Sequence, residues 1–447
     1  MSYPNKSPVK QPTQHPVQPV ESAPVLTIFF QLDPFNPTIG GIQTCIKYVL
    51  KYAPCCFTIQ LVGITHDAAA VGQWQRVQLY GRAFNFLPLL RVVDDNVRKI
   101  VPTTVRYALA LRKYLKHQTI TSDFYQFHRI EPTLFTGKLQ GAKLLYIHND
   151  IYQEIKGHQK GGILWKRFPW VYFAMERQLV GQFDRILSCN SESVKLYQAR
   201  YPAIAPRVSY LRNTFDGELF YPLTPAQKNS ARAQLAQQLG LSTNTRFILF
   251  AGRLHPQKQP QLLIQAMAHL KKQVQNQAQG SAEPHLLIVG KGELEKAIQN
   301  DIETLELRSH ITLLGALPQP KLAQLYRTCD LFTLTSAYEG LARGSLEALA
   351  CGTPVVTTDA GETPKFLAPD SGIVCSDARP ETIAKCWQQV LLNPTQFKAA
   401  ACVRVAQPYE ASRVVESLYT HLLAHHQRSH SAQTHPAFAL ADTLSTL

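Results

Sequence analysis

Two glutamates eight residues apart carry the clearest chemistry in the sequence. Glu339 and Glu347 lie in SAYEGLARGSLEALACGTPVV, where the apolar spacing predicts a helix over about 343–350. If all eight steps were helical, the two Cα atoms would lie about 12 Å apart along the axis. Carboxyl pairs that act across one glycosidic bond lie closer, although a loop at Glu339 would shorten the gap and leave that role open. The spacing favours two carboxylates that grip two parts of one elongated ligand, and solvated helix glutamates are the alternative.

Two basic residues follow a predicted strand in FAGRLHPQK. The strand at 247–250 ends at Gly252, so Arg253 emerges at its carboxyl end and Lys258 follows five residues later. A guanidinium fork and an ammonium group in that position suit a diphosphate. Ordinary surface cations are the alternative.

Glycine turns follow two further predicted strands. TIGGIQT places Gly40 and Gly41 after the first strand, where they form either a backbone cradle for phosphate or a plain turn. GKGELE, with Gly290 and Gly292, is an incomplete dinucleotide fingerprint. Its alternative role is to permit tight packing of a strand against the following helix.

A histidine also stands at the carboxyl end of a strand. His148 follows LLYI, where it could donate to or polarise a ligand, or could simply lie in a turn. His128 in QFHRIEP is a weaker case of the same kind, because its neighbours Arg129 and Glu131 could pair with each other.

The elements that must position these residues alternate between strands and helices in both halves of the chain. This rhythm predicts parallel sheets and a doubly wound α/β architecture, twice over. In such sheets ligands bind beyond the carboxyl ends of the strands, where the candidate residues lie. The predicted organisation is a disordered tail at 1–23, a first domain at 24–222 completed by a helix at about 408–424, a second domain at 223–407, and a loose tail at 425–447.

Composition places the chain among globular proteins and limits its partners. The 447 residues are 45% hydrophobic and 17% charged, with a net charge of +15. Residues 1–223 hold 26 Lys and Arg against 14 Asp and Glu. That excess suggests an anionic surface or acceptor, such as phospholipid or an acidic saccharide, or else solubility charge without a partner. Helix 103–118 and the aromatic and basic segment 164–173 are the candidate membrane-docking surfaces, although ordinary packing also explains the latter.

Several classes are disfavoured by what the sequence lacks. No apolar run of 18 residues and no signal-peptide core occur, so we expect a cytoplasmic protein, either free or peripheral at the inner face of a membrane. The nine cysteines include no CxxC pair, which argues against disulfides and structural zinc. No D-x-D or HExxH motif and no metal-spaced set of His and Cys is present, so we expect no metal and no cofactor. The lack of GxSxG and P-loop motifs disfavours a hydrolase nucleophile elbow and P-loop chemistry. Nucleic-acid binding is suggested only by the charge and has no motif behind it, so no nucleic-acid partner is expected.

Taken together, these segments resemble the GT4-type retaining glycosyltransferases of the GT-B fold, also called glycosyltransferase group 1. The E-x7-E motif from Glu339 to Glu347 is the most specific match, and the resemblance covers about residues 24–422. Its other matching segments, in chain order, are GGI (40–42), His148 after a strand, NTFDGELFYP (213–222), GRLHPQK (252–258) and LLIVGKGELE (286–295).

The resemblance implies a role for each matching residue. Arg253 and Lys258 would hold the donor diphosphate, Glu347 the ribose hydroxyls, and Glu339 the sugar hydroxyls. His148 would contact the donor sugar near the reacting centre. The glycines and backbone N–H groups implied in donor binding are Gly40, Gly41, Gly252, Gly290, Gly292, Gly340, Leu341 and Ala342.

The resemblance further implies two Rossmann-like domains with parallel sheets facing across a cleft. The expected reaction moves a hexose-type sugar from a nucleoside diphosphate sugar, such as a UDP- or GDP-sugar, to a saccharide, glycolipid or small-molecule acceptor. Such a reaction belongs to polysaccharide or glycolipid biosynthesis and needs no metal. A sugar-nucleotide epimerase, or a non-catalytic protein that binds nucleotide sugars, is the alternative.

The sequence departs from the family pattern at three places. Gln259 replaces the glycine that usually follows the phosphate-binding lysine, and RNTFD replaces PNGVD. The usual Gly-Gly-x-x-Glu is AGETPKF, with Glu362 displaced and Lys365 near the usual glutamate position. This last change puts the donor sugar in doubt more than the fold.

Overall fold

The computed structural model describes residues 23–36, 40–92, 101–148, 168–275 and 283–432. Every candidate site residue falls within these ranges. Residues 1–22 of the predicted N-terminal tail and residues 164–167 of the predicted docking segment lie outside them.

The first domain is built on a sheet whose eight described strands are ordered β3-β4-β2-β1-β5-β6-β7-β8. The strands are β1 (Val25–Phe29), β2 (Thr58–Thr65), β3 (Gln75–Leu79), β4 (Arg82–Arg91), β5 (Phe124–Phe127), β6 (Ala142–Ile147), β7 (Arg185–Ser188) and β8 (Val208–Tyr210). All neighbours pair in parallel except β3 and β4, which form an antiparallel hairpin at the edge. The hairpin turns at Tyr80 and Gly81, whose φ angles are 56° and 71°. A two-residue turn with both φ angles positive matches the twist of antiparallel strands.

The second domain contains a sheet whose six described strands are all parallel, in the order β11-β10-β9-β12-β13-β14. The strands are β9 (Arg246–Ala251), β10 (Pro284–Val289), β11 (Ile311–Gly315), β12 (Leu331–Leu334), β13 (Val355–Thr357) and β14 (Gly372–Val374). The middle strands are mainly apolar and almost entirely buried, as expected for a parallel sheet covered by helices. The predicted α/β class with two mainly parallel sheets is confirmed.

Helices connect and cover both sheets. Those in the described ranges are α1 (Gly41–Lys51), α2 (Thr103–Leu115), α3 (Pro169–Leu179), α4 (Ser191–Arg200), α5 (Pro225–Gln238), α6 (Pro260–Gln275), α7 (Glu295–Thr304), α8 (Gln319–Thr328), α9 (Arg343–Ala350), α10 (Thr363–Phe366), α11 (Pro380–Leu392), α12 (Ala399–Ala406) and α13 (Ala411–Ala432). The predicted helix over 343–350 is α9, so Glu347 lies inside a helix and Glu339 precedes it. None of the described helices combines the length and the apolar content needed to cross a bilayer.

The last helix returns to the first domain. After residue 410, α13 packs Val415, Leu418, Tyr419 and Leu422 into the core around β1 and α1. Its backbone entry is fixed by a parallel bridge between Phe215 and Glu410 at the crossing between domains. The helix extends to Ala432, so its last eight residues belong to the segment for which the sequence predicted a loose tail.

The nine cysteines are all free thiols, as the sequence predicted. Cys351 is buried at the end of α9, in the small apolar role expected for it.

We expect Tyr419→Ala to destabilise the protein by about 3 kcal/mol or more, because it empties a buried ring site. The Tyr419 hydroxyl also donates to the carbonyl of Val49 at 3.1 Å, and that bond would be lost. Urea unfolding measures the change. Glu416→Ala, on the exposed side of the same helix, is the control and should cost far less. Equal stability of the two variants would contradict the packing of α13 on the first domain.

Candidate functional site

The structure brings Lys258 onto Glu339. Lys258 ends a short 3₁₀ turn (Pro256–Lys258) after β9, and its Nζ contacts Oε1 of Glu339. Ser336 donates to the same carboxylate oxygen at 2.6 Å. The Lys258 side chain is 20% exposed and that of Glu339 is 9% exposed, so the pair is largely shielded from water. The cation predicted for a diphosphate and the carboxylate predicted for a sugar therefore share one pocket.

Arg253 adds a second positive charge to this loop. It follows Gly252 at the carboxyl end of β9 and is exposed. Within the described part of the chain, no carboxylate pairs with its guanidinium. Because Lys258 is already paired, Arg253 gives the pocket its unneutralised positive charge. An anionic ligand group would compensate it.

The two glycines of GKGELE hold this loop in place. Gly290 has a φ of 142°, and a Cβ there would lie 1.8 Å from the carbonyl oxygen of Gly252. A Cβ on Gly292 would lie 2.2 Å from the carbonyl oxygen of Leu254. The backbones are joined by a bond from the Leu254 N–H to the Lys291 carbonyl at 3.1 Å. Gly290 and Gly292 therefore permit the close packing of two loops that fixes the loop carrying Arg253. This packing differs from the strand-against-helix contact considered from the sequence.

Glu347 is buried one helix turn inside α9. Burial raises the pKa of its carboxyl, and the Arg343 charge and a hydrogen bond with Tyr326 oppose the shift. Arg343 Nη2 lies 3.4 Å from Glu347 Oε1. A buried carboxylate with one long ion-pair contact retains capacity to accept from ligand hydroxyls.

Arg343 is a residue that the sequence analysis missed. Its Nη2 lies 3.2 Å from the Tyr48 hydroxyl, its guanidinium lies 5.2 Å from the Tyr48 ring centre, and its Nη1 lies 3.4 Å from the Gly41 carbonyl oxygen. It therefore links Glu347 in the second domain to the start of α1 in the first. Its position four residues before Glu347 was the signal available in the sequence.

The loop between the two glutamates presents backbone to the first domain. A Cβ on Gly340 would lie 2.9 Å from the carbonyl oxygen of His148. Leu341 and Ala342 are buried, and the carbonyl of Leu341 accepts from Asn213 at 3.4 Å. Gly361, which the sequence analysis also missed, packs against this loop. Its φ is 72°, and a Cβ there would lie 2.4 Å from the Gly340 carbonyl oxygen.

His148 and the first glycine turn lie on the opposite wall. His148 follows β6, and Gly40 and Gly41 begin α1, whose N-terminal N–H groups are available to an anion. No atom would crowd a Cβ on Gly41. Burial lowers the pKa of His148 to about 4, helped by the nearby charges of Arg129 and Arg343. The imidazole is therefore neutral at pH 7, with one N–H to donate and one lone pair.

Glu362 and Lys365, from the last of the three departures from the family pattern, connect the domains. Glu362 Oε1 accepts from both the N–H and the hydroxyl of Ser191, each at 2.9 Å. Lys365 Nζ donates to the Ser191 hydroxyl at 2.7 Å and to Glu192 at 3.0 Å. Asn190, which caps α4, also donates to the Glu339 carbonyl at 3.4 Å. The start of α4 thus meets the second domain at the edge of the cleft.

No cluster of three or more His, Cys, Asp or Glu suited to a metal occurs within the described ranges. The charges in the cleft are instead those of Arg253, Lys258, Arg343 and the two glutamates.

Comparison with known proteins relates the second domain to a known family. Residues 231–406, less than half of the chain, match the family model "Glycosyl transferases group 1". The matched range contains Arg253, Lys258, Glu339 and Glu347, and it excludes His148 and the glycine turn of the first domain.

Curated proteins similar to this chain share somewhat more than a quarter of the aligned residues with it. A D-inositol 3-phosphate glycosyltransferase of Segniliparus rotundus is 29% identical over 243 residues, 52% of this chain and 49% of that protein. One from Mycolicibacterium vanbaalenii is 28% identical over 265 residues, 58% and 57% of the two chains. The match thus spans about half the length of these relatives.

Solved structures establish the GT-B fold over both domains. Sucrose-phosphate synthase from Thermosynechococcus elongatus superposes with a TM-score of 0.70 at 16% identity, covering 90% of this chain and 99% of the other. HepE of Anabaena, solved with UDP and glucose, gives 0.63 at 16% identity, covering 89% and 99%. WaaG, a glycosyltransferase involved in lipopolysaccharide biosynthesis, gives 0.62 at 17% identity, covering 88% and 98%.

We expect Gly290→Ala to destabilise the protein by roughly 2 kcal/mol or more, because both the backbone angle of Gly290 and its neighbour exclude a Cβ. Gly41→Ala is the matched control. Its site is open and helical, so alanine should leave stability unchanged or raise it by up to about 1 kcal/mol. Urea unfolding of both variants checks the pair. A Gly290→Ala protein as stable as wild type would remove the packing role of this turn.

Proposed function

We propose that this protein is a retaining, metal-independent glycosyltransferase. It would transfer a hexose-type sugar from a nucleoside diphosphate sugar to a hydroxyl of a saccharide, glycolipid or small-molecule acceptor. The observation that carries the proposal is the contact of Lys258 with Glu339 shortly before the start of α9, made from a loop that also carries the exposed Arg253. His148 and the start of α1 face this cluster from the other domain.

The charges of the cleft support a diphosphate donor. Arg253 is an exposed cation without a carboxylate partner among the described residues, and Lys258 would exchange part of its contact with Glu339 for a phosphate oxygen. Glu339 would then be free to accept from sugar hydroxyls, and Glu347 would accept from the ribose. HepE, a protein of the same fold, has been solved with UDP and with UDP-glucose. A uridine nucleotide is therefore the first donor to test.

In the proposed reaction, the bond from the anomeric carbon to the diphosphate oxygen breaks. A new bond forms from that carbon to the acceptor oxygen on the same face. The acceptor proton passes to the leaving phosphate, so the products are a glycoside and a nucleoside diphosphate. Arg253 and Lys258 would stabilise the negative charge that grows on the leaving group, which lowers the barrier more than ground-state binding alone.

His148 would act as a neutral hydrogen-bonding group in this reaction. With a pKa near 4, His148 is not an imidazolium at pH 7 and cannot act as an acid. Its neutral ring can form a hydrogen bond with a sugar hydroxyl. The carbonyl of His148 lies against Gly340, in the loop that carries Glu339. His148 and Glu339 would therefore lie beside the same end of the donor.

The acceptor would bind mainly to the first domain, whose basic surface suits an anionic partner or membrane. Trp170 at the start of α3 is 72% exposed and Phe168 is 49% exposed. We propose that these rings contact an anionic membrane surface, where aromatic side chains with basic neighbours bind favourably. The setting would be polysaccharide or glycolipid biosynthesis at the cytoplasmic side of a membrane.

Liposome flotation tests that surface. The wild type should float with vesicles containing anionic phospholipid, and binding should fall as salt is raised. Trp170→Ser should reduce the floated fraction, whereas Trp74→Ser, at 39% exposure before β3, should not. Absence of salt-sensitive flotation of the wild type would overturn the membrane contact and leave the transferase proposal standing.

A thermal-shift panel of nucleoside diphosphates and sugar nucleotides tests the donor. A ligand that binds only the folded state raises apparent stability, so the correct nucleotide should raise Tm. Release of nucleoside diphosphate that depends on an acceptor extract would distinguish a transferase from an epimerase, which needs no acceptor. Binding without any turnover would favour the non-catalytic alternative.

Substitutions in the cleft should separate binding from turnover. Arg253→Ala or Lys258→Ala should lower turnover by on the order of 10²-fold, as for other lost transition-state donors. Glu347→Ala should weaken nucleotide binding by roughly 10-fold or more, because a charged acceptor is lost. Lys296→Ala and Glu416→Ala, on exposed helix faces, are the controls. Near-wild-type behaviour of the cleft variants would reject the proposed residue roles.

A further inference from the structure

A chain of three side chains lies behind the cleft in the first domain. Gln126 on β5 has its Nε2 2.8 Å from Nε2 of His128, and Nδ1 of His128 lies 2.7 Å from Nε2 of His148. Gln126 is fully buried and His128 is 4% exposed. Direct contacts between these side chains therefore join His148 in the cleft to the interior of the sheet.

The protons in this chain can be assigned from the charges of its members. Burial lowers the pKa of His128 well below its usual value, as it does for His148. Two neutral imidazoles each hold one N–H and one lone pair. Only one proton can therefore lie between His128 and His148. The nitrogen that carries this proton, Nδ1 of His128 or Nε2 of His148, fixes which ring nitrogen of His148 is left to donate.

The orientation of Gln126 determines which histidine carries the shared proton. As the structure orients it, the Gln126 amide nitrogen faces Nε2 of His128 and donates to it. Nε2 of His128 is then the acceptor, and its Nδ1 carries the proton and donates to Nε2 of His148. His148 must consequently hold its own proton on Nδ1. No hydrogen bond from Nδ1 of His148 occurs within the described part of the chain.

Neighbouring rings hold the two histidines in place. The rings of His128 and His148 lie edge to edge and nearly coplanar, with centres 5.0 Å apart and planes 17° apart. Tyr146 packs on His128 at 5.1 Å, and Phe30 meets it edge-on at 5.8 Å. These contacts oppose rotation of the His128 ring. They thereby preserve the direction of its hydrogen bonds.

We propose that His128 is a positioning residue that, oriented by Gln126, holds His148 in the tautomer protonated on Nδ1 and presents that N–H to the donor sugar. The inference rests on the proposed function for the sugar contact. The tautomer itself depends only on the chain of bonds. A plain structural role for His128 would fill the core equally well but would not determine which nitrogen of His148 is protonated.

NMR of the full-length protein labelled with ¹⁵N-histidine tests the tautomer directly. The His148 signals, assigned by their loss in His148→Ala, should show a protonated Nδ1 and an unprotonated Nε2. In His128→Phe the partner is lost, and a share of His148 should move its proton to Nε2. Gln126→Met keeps both rings and should loosen the same preference, which covers the case in which His128→Phe fails to fold. A wild-type His148 protonated on Nε2, or a tautomer unchanged in both variants, would overturn the proposal.

Turnover of UDP-glucose, or of whichever sugar nucleotide the panel selects, gives the second readout. His128→Phe and Gln126→Met should lower kcat by roughly 10-fold or more, the range found when orienting partners of functional histidines are removed. UDP affinity should stay within about twofold of wild type, because the Arg253 and Lys258 loop is untouched. His128→Asn retains an amide group near the Nδ1 position and should recover part of kcat.

A double-variant comparison separates this inference from the proposed function. In a His148→Ala background, His128→Phe should cause little further loss of kcat, since the residue through which it acts is gone. A full additional loss would show that His128 acts elsewhere. Failure of the proposed function would appear differently, as a wild-type protein that binds no nucleotide while its His148 tautomer remains measurable.

Discussion

The contact between Lys258 and Glu339 is the constraint on which the rest of the cleft depends. Two opposite charges shielded from water are costly to separate, because each would be left without compensation in a poorly solvating site. Ser336 adds a hydrogen bond to the carboxylate and so fixes its orientation. The loops that position Lys258, Glu339 and Ser336 therefore meet in one small region between the end of β9 and the start of α9.

The backbone around this pair is held by close approaches that only glycine permits. Gly290 and Gly292 let the loop after β10 lie against the loop after β9, and Gly361 lets the segment after β13 lie against Gly340. These contacts keep Arg253 and the N-terminus of α9 in a fixed relation. Preorganised donors of this kind are effective because no reorganisation is needed when charge develops on a ligand.

The contacts named above between the two domains at the cleft are polar. Arg343 reaches Tyr48 and Gly41, and Glu362 and Lys365 meet the start of α4. Glu362 and Lys365 belong to the segment AGETPKF, which departs from the family pattern. Residues of that departure therefore form a contact between the domains at this edge of the cleft.

Local sequence pattern was enough to predict the α/β class, the parallel sheets, the α9 helix that contains Glu347 and the free cysteines. Each of these follows from local pattern, since hydrophobic periodicity and turn residues specify elements without reference to distant residues. The β3–β4 hairpin and the extension of α13 past residue 425 were not predicted. A two-stranded antiparallel edge has a weaker pattern, and the C-terminal helix is stabilised by packing on a domain hundreds of residues earlier.

The candidate residues came from the sequence, but their relations came only from the fold. Periodicity placed Lys258 and Glu339 at the ends of two strands, yet their contact depends on β9 and β12 being neighbours in the sheet. The contacts that Arg343 makes with the first domain, and those that link Gln126, His128 and His148, could not be identified from the sequence for the same reason. Single residue types have many uses, and only the packing of separate strands and domains decides which hydrogen bonds they form.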